Sequence, residues 1–101
     1  MLVLDPIDIT LEQTEDGTEV IVNVTGDVKP DFDFIVLVDA SVVREDVPET
    51  TEHYFAARKY TAGTWPVAGD TFNLVISPAL GDNDNVDVKA YAAYNVNITN
   101  P

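Results

Sequence analysis

The chain has 101 residues and a net charge of −13, from 18 Asp and Glu against five Lys and Arg. That length suits one domain around one modest core, and 46% apolar residues argue against a disordered chain. The absence of cysteine, of a basic cluster and of any apolar run near ~20 residues argues against disulfide-stapled scaffolds, nucleic-acid ligands and membrane-spanning segments.

Fifteen valines stand against six leucines and six isoleucines, with ten threonines beside them. β-Branched side chains lose little on a pleated surface and more in a helix, so this bias favours strands. The opening Met1-Leu2-Val3-Leu4-Asp5-Pro6 lacks the basic start and long apolar run of a signal peptide. The acids run dispersed from Asp5 to Asp87, as on the coat of a folded domain rather than in an acidic tail.

In chain order, Ile7, Ile9 and Leu11 alternate with Asp8, Thr10 and Glu12, predicting one half-buried strand. Glu15-Asp16-Gly17 is turn chemistry, and Val20, Val22 and Val24 then share one face of a strand over 18–25, completing a hairpin. Gly26-Asp27 and Lys29-Pro30 break the chain. From Phe32 to Val43, the residues Phe32, Phe34, Val36, Val38, Ala40 and Val42 line one face. Ile35 and Leu37 on the other face predict a central strand covered on both sides. Residues 49–60 carry mixed signals: acids first and Arg58-Lys59 last suit a short helix, whereas Thr50, Thr51, Tyr54, Phe55 and Tyr60 suit a strand. The all-β surroundings favour the strand. Residues 63–70 read as a loop holding Trp65-Pro66, and Phe72, Leu74 and Ile76 as a strand ended by Ser77-Pro78. After the polar loop Gly81–Asn85, alternation continues from Val86 to Ile98, with a bend near Asn95 or an outgoing arm.

Six to eight short strands broken every 8–14 residues predict an all-β, two-sheet antiparallel β-sandwich. It occupies 1–101 as a single domain, with a C-terminal arm over 95–101. Strand order and lengths resemble an immunoglobulin or fibronectin type III module. The sequence departs from that pattern in lacking the Cys…Trp…Cys signature and in placing Val86 where a tyrosine corner would follow Leu80-Gly81.

Catalytic chemistry is hard to assemble from these residues. His53 is the one histidine, the serines are Ser41 and Ser77, and no glycine-rich phosphate loop exists. The expectation is a non-enzymatic protein without a cofactor. Asp82, Asp84 and Asp87, with Asn83 and Asn85, place hard oxygen ligands close together. Val86 and Val88 interrupt the calcium-loop pattern, so loosely bound cations are expected there at most. Asn23-Val24-Thr25 and Asn97-Ile98-Thr99 match the glycosylation acceptor pattern. Trp65 is either a partner anchor or a plug folded back on the sandwich edge. Tyr54, Tyr60 and Tyr91 are further candidate partner contacts.

The excess of Asp over Glu, the scarcity of Lys and the small apolar residues resemble proteins of extreme halophiles. A small acidic immunoglobulin-like module of that kind resembles decoration, turret or minor capsid proteins of haloarchaeal tailed viruses. The resemblance implies a virion structural protein, assembled in the host cytoplasm. Its partners would be the major capsid protein and further copies of itself, with no nucleic acid and no membrane. The alternative is a domain of a haloarchaeal cell-surface or secreted adhesion protein.

Overall fold

The strictest alternation in the chain builds the centre of the fold. Val20, Val22 and Val24 are fully buried, while Glu19, Ile21 and Asn23 between them are only half-buried, as a strand with one face on a core requires. The computed structural model describes residues 1–26, 32–66 and 68–95. Over these it forms seven strands and no helix: β1 (Leu2–Ile7), β2 (Ile9–Gln13), β3 (Glu19–Val24), β4 (Phe34–Val43), β5 (Thr51–Tyr60), β6 (Asp70–Val75) and β7 (Asn85–Asn95).

They make a two-sheet antiparallel β-sandwich. One sheet has the order β1-β7-β4-β5, the other β2-β3-β6. Between them lie the valines of β3, Phe72 and Leu74 of β6, Phe34, Val36, Val38 and Ala40 of β4, and Ala90 and Ala92 of β7. The small alanines of β7 face Val38 and Val36 in register, which leaves room for Phe34 and Phe72 in the inter-sheet space.

Residues 7–12 correct the sequence expectation of one strand. Ile7 ends β1, paired to Ala90, and Ile9 starts β2, paired to Val24, so the chain crosses between sheets at Asp8. The Asp8 carbonyl accepts the N–H groups of Thr25 (2.9 Å) and Gly26 (3.1 Å), which anchors the crossing. Because the step occurs at the sandwich edge, Ile7 and Ile9 both still point inward, and the period-two pattern carries no trace of it. Residues 2–6, for which the alternation predicts no strand, join Ile7 in β1 along β7. Pro6 is tolerated because β1 is an edge strand.

Residues 51–60 form β5, hairpin-paired to β4 through the full register Phe34↔Tyr60 to Val43↔Thr51. The strand wins over the helix because Glu52, Tyr54, Ala56 and Tyr60 then share the inward side. At the Glu15–Gly17 turn, Asp16 Oδ1 accepts from both threonine hydroxyls (Thr14 2.8 Å, Thr18 2.7 Å) and from the Thr18 N–H. Gly17 adopts φ 74°, and a Cβ there would collide with the Leu80 carbonyl oxygen, so only glycine fits. The expected arm beyond Asn95 and the acceptor pattern at Asn97 lie outside the described residues.

Candidate functional site

Three of the sequence-selected residues turn out to be parts of the scaffold. Trp65 folds back on the sandwich edge: its Nε1–H donates to the Gly26 carbonyl at 3.2 Å, and its ring meets Tyr60 edge-on with centroids 5.0 Å apart. Tyr60 stacks on Phe34 at 5.2 Å and donates its hydroxyl to Asp70, which Arg58 also grips at 2.8 Å. Burial, with the Asp70 carboxylate, pushes the Tyr60 hydroxyl up to about 12. Arg58 lies over the Phe72 ring at 4.4 Å, so this group closes the β5–β6 side of the sandwich. Tyr54 bridges the sheets by donating to Glu52 (2.8 Å) and to the Ser77 carbonyl (3.0 Å). These three aromatics are half-buried, and each is engaged within the scaffold.

The acidic loop is also structural. Asp84 Oδ2 accepts from the Gly81 N–H (2.8 Å) and Arg44 Nη1 (3.1 Å), and Oδ1 from the Glu45 N–H (2.9 Å). Asp82 and Asp87 are exposed and do not converge on it, and among the described residues no three acidic or histidine side chains cluster as metal ligands. Arg44, only 8% exposed, fills its remaining donors with Glu52 and the carbonyls of Pro78 and Ala79. Among the described residues no buried side-chain polar atom is left without a partner.

Ser41, His53 and Asp39 do come together, on the outward side of β4 and β5. Ser41 Oγ lies 3.3 Å and Asp39 Oδ1 3.2 Å from the same ring nitrogen, His53 Nδ1. A proton relay needs the nucleophile on one imidazole nitrogen and the acid on the other. One nitrogen serving both partners cannot relay a proton, so the contact fixes the ring, which stacks on Phe55 at 5.9 Å.

What remains unaccounted for is the face on which those residues sit. Outward positions of the four-stranded sheet are Leu2, Leu4 and Pro6 on β1, Tyr91 and Ala93 on β7, Ile35 and Leu37 on β4, and Ala57 and Phe55 on β5. Phe55 is 72% exposed, Leu2 63% and Leu4 52%, while Ile35 and Leu37 on the central strand are still 40% and 37% exposed. A shallow groove of about 420 Å³ runs between Leu4, Leu37, Phe55, Ala57 and Tyr91. The expectation that a second layer covers Ile35 and Leu37 is therefore unmet within the single chain.

Charge sharpens the contrast. At outward positions this sheet carries Asp39 and Asp87 against Lys59 and Lys89, a balance of 2 − 2 = 0 within a chain of −13. The outward face of the other sheet shows Thr10, Glu12, Glu19, Asn23, Thr71 and Asn73, with Ile21 and Val75 as its larger apolar members. Of the sequence-selected aromatics only Tyr91 belongs to the patch. Phe55, Leu4 and Leu2 were missed, although the odd-numbered face of 51–59 and the outward Ile35 and Leu37 held the signal. Comparison with family models, curated proteins and solved structures finds no match.

Proposed function

We propose that the chain is a non-enzymatic assembly module, a virion structural component of a halophilic archaeal virus in a decoration, turret or minor capsid role. The observation that carries it is the neutral apolar face on an otherwise acidic domain. Contiguous apolar surface with protruding aromatic and aliphatic side chains is what interfaces bury, and monomers seldom keep it without a use. The bonding of Arg44, Tyr60 and Asp84 within the scaffold fits a rigid part that works by being bound.

The strand order supports an immunoglobulin-like arrangement: β2, β3 and β6 match one sheet of such a module, and β4 and β7 the centre of the other. β5 adds an outer strand beside β4, and β1 occupies the edge beside β7. The dispersed excess of Asp supports the saline setting, because a charge of −13 repels itself least where ions are concentrated. Particles purified in molar salt and analysed by quantitative mass spectrometry test this reading. The chain should be present in tens to hundreds of copies per particle. Its absence from particles, or its recovery in glycosylated form from the host cell surface, would favour the adhesion alternative.

A further inference from the structure

We propose that the outward face of the β1-β7-β4-β5 sheet is a two-fold interface between two copies of this chain. The proposal rests on the assembly reading and names the first partner in it.

Electrostatics selects the occupant. Two chains of −13 repel through their acidic surfaces. Meeting through this face is different, because its outward charges sum to zero. The acids on the far sheet, Glu12 and Glu19, then lie beyond a sheet-to-sheet spacing of ~10 Å, further than the ~8 Å screening length at physiological salt. A strongly basic partner would be drawn to the acidic surfaces and away from this one. A second copy offers the same neutral apolar surface in return.

The arrangement of side chains is self-complementary. Along β4 the outward order is Ile35, Leu37, Asp39, Ser41, with Lys59 beside Ile35 and Phe55 beside Asp39. A two-fold axis crossing the strands near Leu37 reverses that order in the opposing copy. It sets Lys59 of one chain against Phe55 and Asp39 of the other, twice, around a centre made by Leu37, Tyr91 and Ala57. Among the described residues Lys59 makes no ion pair of its own, so its ammonium is free for that contact. Four strands at ~4.8 Å spacing and four outward rows at ~6.6 Å give roughly 500 Å² per copy. About 1,000 Å² in total lies at the threshold for a biological interface, in the class of weak or transient ones.

Sedimentation equilibrium on the full chain, at 0.15 M and 2 M KCl, is the test. The expected species is a dimer of 2 × 11.0 = 22.0 kDa. Phe55→Glu should raise the dimer Kd roughly tenfold or more, as expected for an aromatic anchor replaced by a charge. Lys59→Glu should weaken association, and adding Asp39→Lys to it should restore association. Val75→Glu, at a 67% exposed site on the opposite face, should leave the dimer intact. Trp65 fluorescence confirms that each variant is folded. A wild-type chain that stays monomeric at millimolar concentration, or a dimer insensitive to Phe55→Glu, overturns the proposal. If the chain is monomeric yet Phe55→Glu abolishes its incorporation into particles, the homodimer fails and the assembly reading stands. A dimer that is absent from particles reverses that outcome.

Discussion

Asp84 receives the Arg44 guanidinium on one carboxylate oxygen at 3.1 Å and the Glu45 N–H on the other at 2.9 Å. Arg44 in turn holds Glu52 on β5 and the carbonyls of Pro78 and Ala79, so one side chain ties three segments together at this end of the sandwich. Arg44→Met removes the charge-assisted bonds and leaves two carbonyls unpaired, and should cost roughly 2–3 kcal/mol of stability. Arg44→Lys should recover only part of it, because a single ammonium cannot reproduce the planar fork. Urea midpoints of the three proteins decide this, and an unchanged midpoint for Arg44→Met would show the cluster to be incidental.

The same cluster sets an acid limit. Hydrogen bonding to Arg44 holds the Glu52 carboxyl below its usual range, the backbone N–H groups of Gly81 and Glu45 do so for Asp84, and the Tyr60 hydroxyl does so for Asp70. A carboxyl depressed in the folded state stabilises it above the unfolded pKa, and that contribution disappears as pH falls through the lower folded value. Melting temperature should therefore fall steeply below about pH 4. In Arg44→Met the slope should shrink, since Glu52 loses its main depressing partner, but not vanish, since the backbone bonds to Asp84 remain. Melting curves between pH 2 and pH 6 give both slopes.

The sandwich was legible because β3, β4 and β6 bury one face each, and a single period-two count finds such strands. β5 was legible only through its context, since Arg58 and Lys59 near its end imitate a helix terminus. The sheet change at Asp8 was hidden, because Ile7 and Ile9 keep the same inward phase on either side of it. The site was half visible. Ile35 and Leu37 announced a second apolar face, but Tyr54 and Tyr60 read as contact residues and Trp65 as either anchor or plug, when bonds to Ser77, Asp70 and Gly26 tie all three to the scaffold. Those bonds join residues 10 to 39 apart in sequence, which no local pattern encodes.

Tyr60 should report the closed β5–β6 side at alkaline pH. Its hydroxyl is raised to about 12, first by burial and then by Asp70. A folded pKa above the unfolded value of about 10 means its contribution is complete below pH 10 and is lost as pH rises through 12. Absorbance titration should show a tyrosinate step near pH 12 that Tyr60→Phe removes. Trp65, in edge contact with that ring, should lose fluorescence over the same interval. A wild-type titration complete by pH 10.5 would contradict the buried placement.

Salt separates general screening from a specific cation. With 18 acids opposed by five bases, the folded chain gains as the screening length falls from ~8 Å at 0.15 M to ~3 Å at 1 M. Melting temperature should rise on the order of 10 °C between 0.1 and 2 M KCl, corresponding to about 2 kcal/mol for a domain this size. Calcium chloride at matched ionic strength should give the same curve, because both oxygens of Asp84 are already engaged and Asp82 and Asp87 stand apart from it. Asp82→Asn should raise the melting temperature slightly in dilute buffer, by removing one repelling charge, and should leave the calcium response unchanged. A calcium-specific rise that Asp82→Asn abolishes would instead mean that the loop gathers around the ion, releasing Arg44 from Asp84 as it does so.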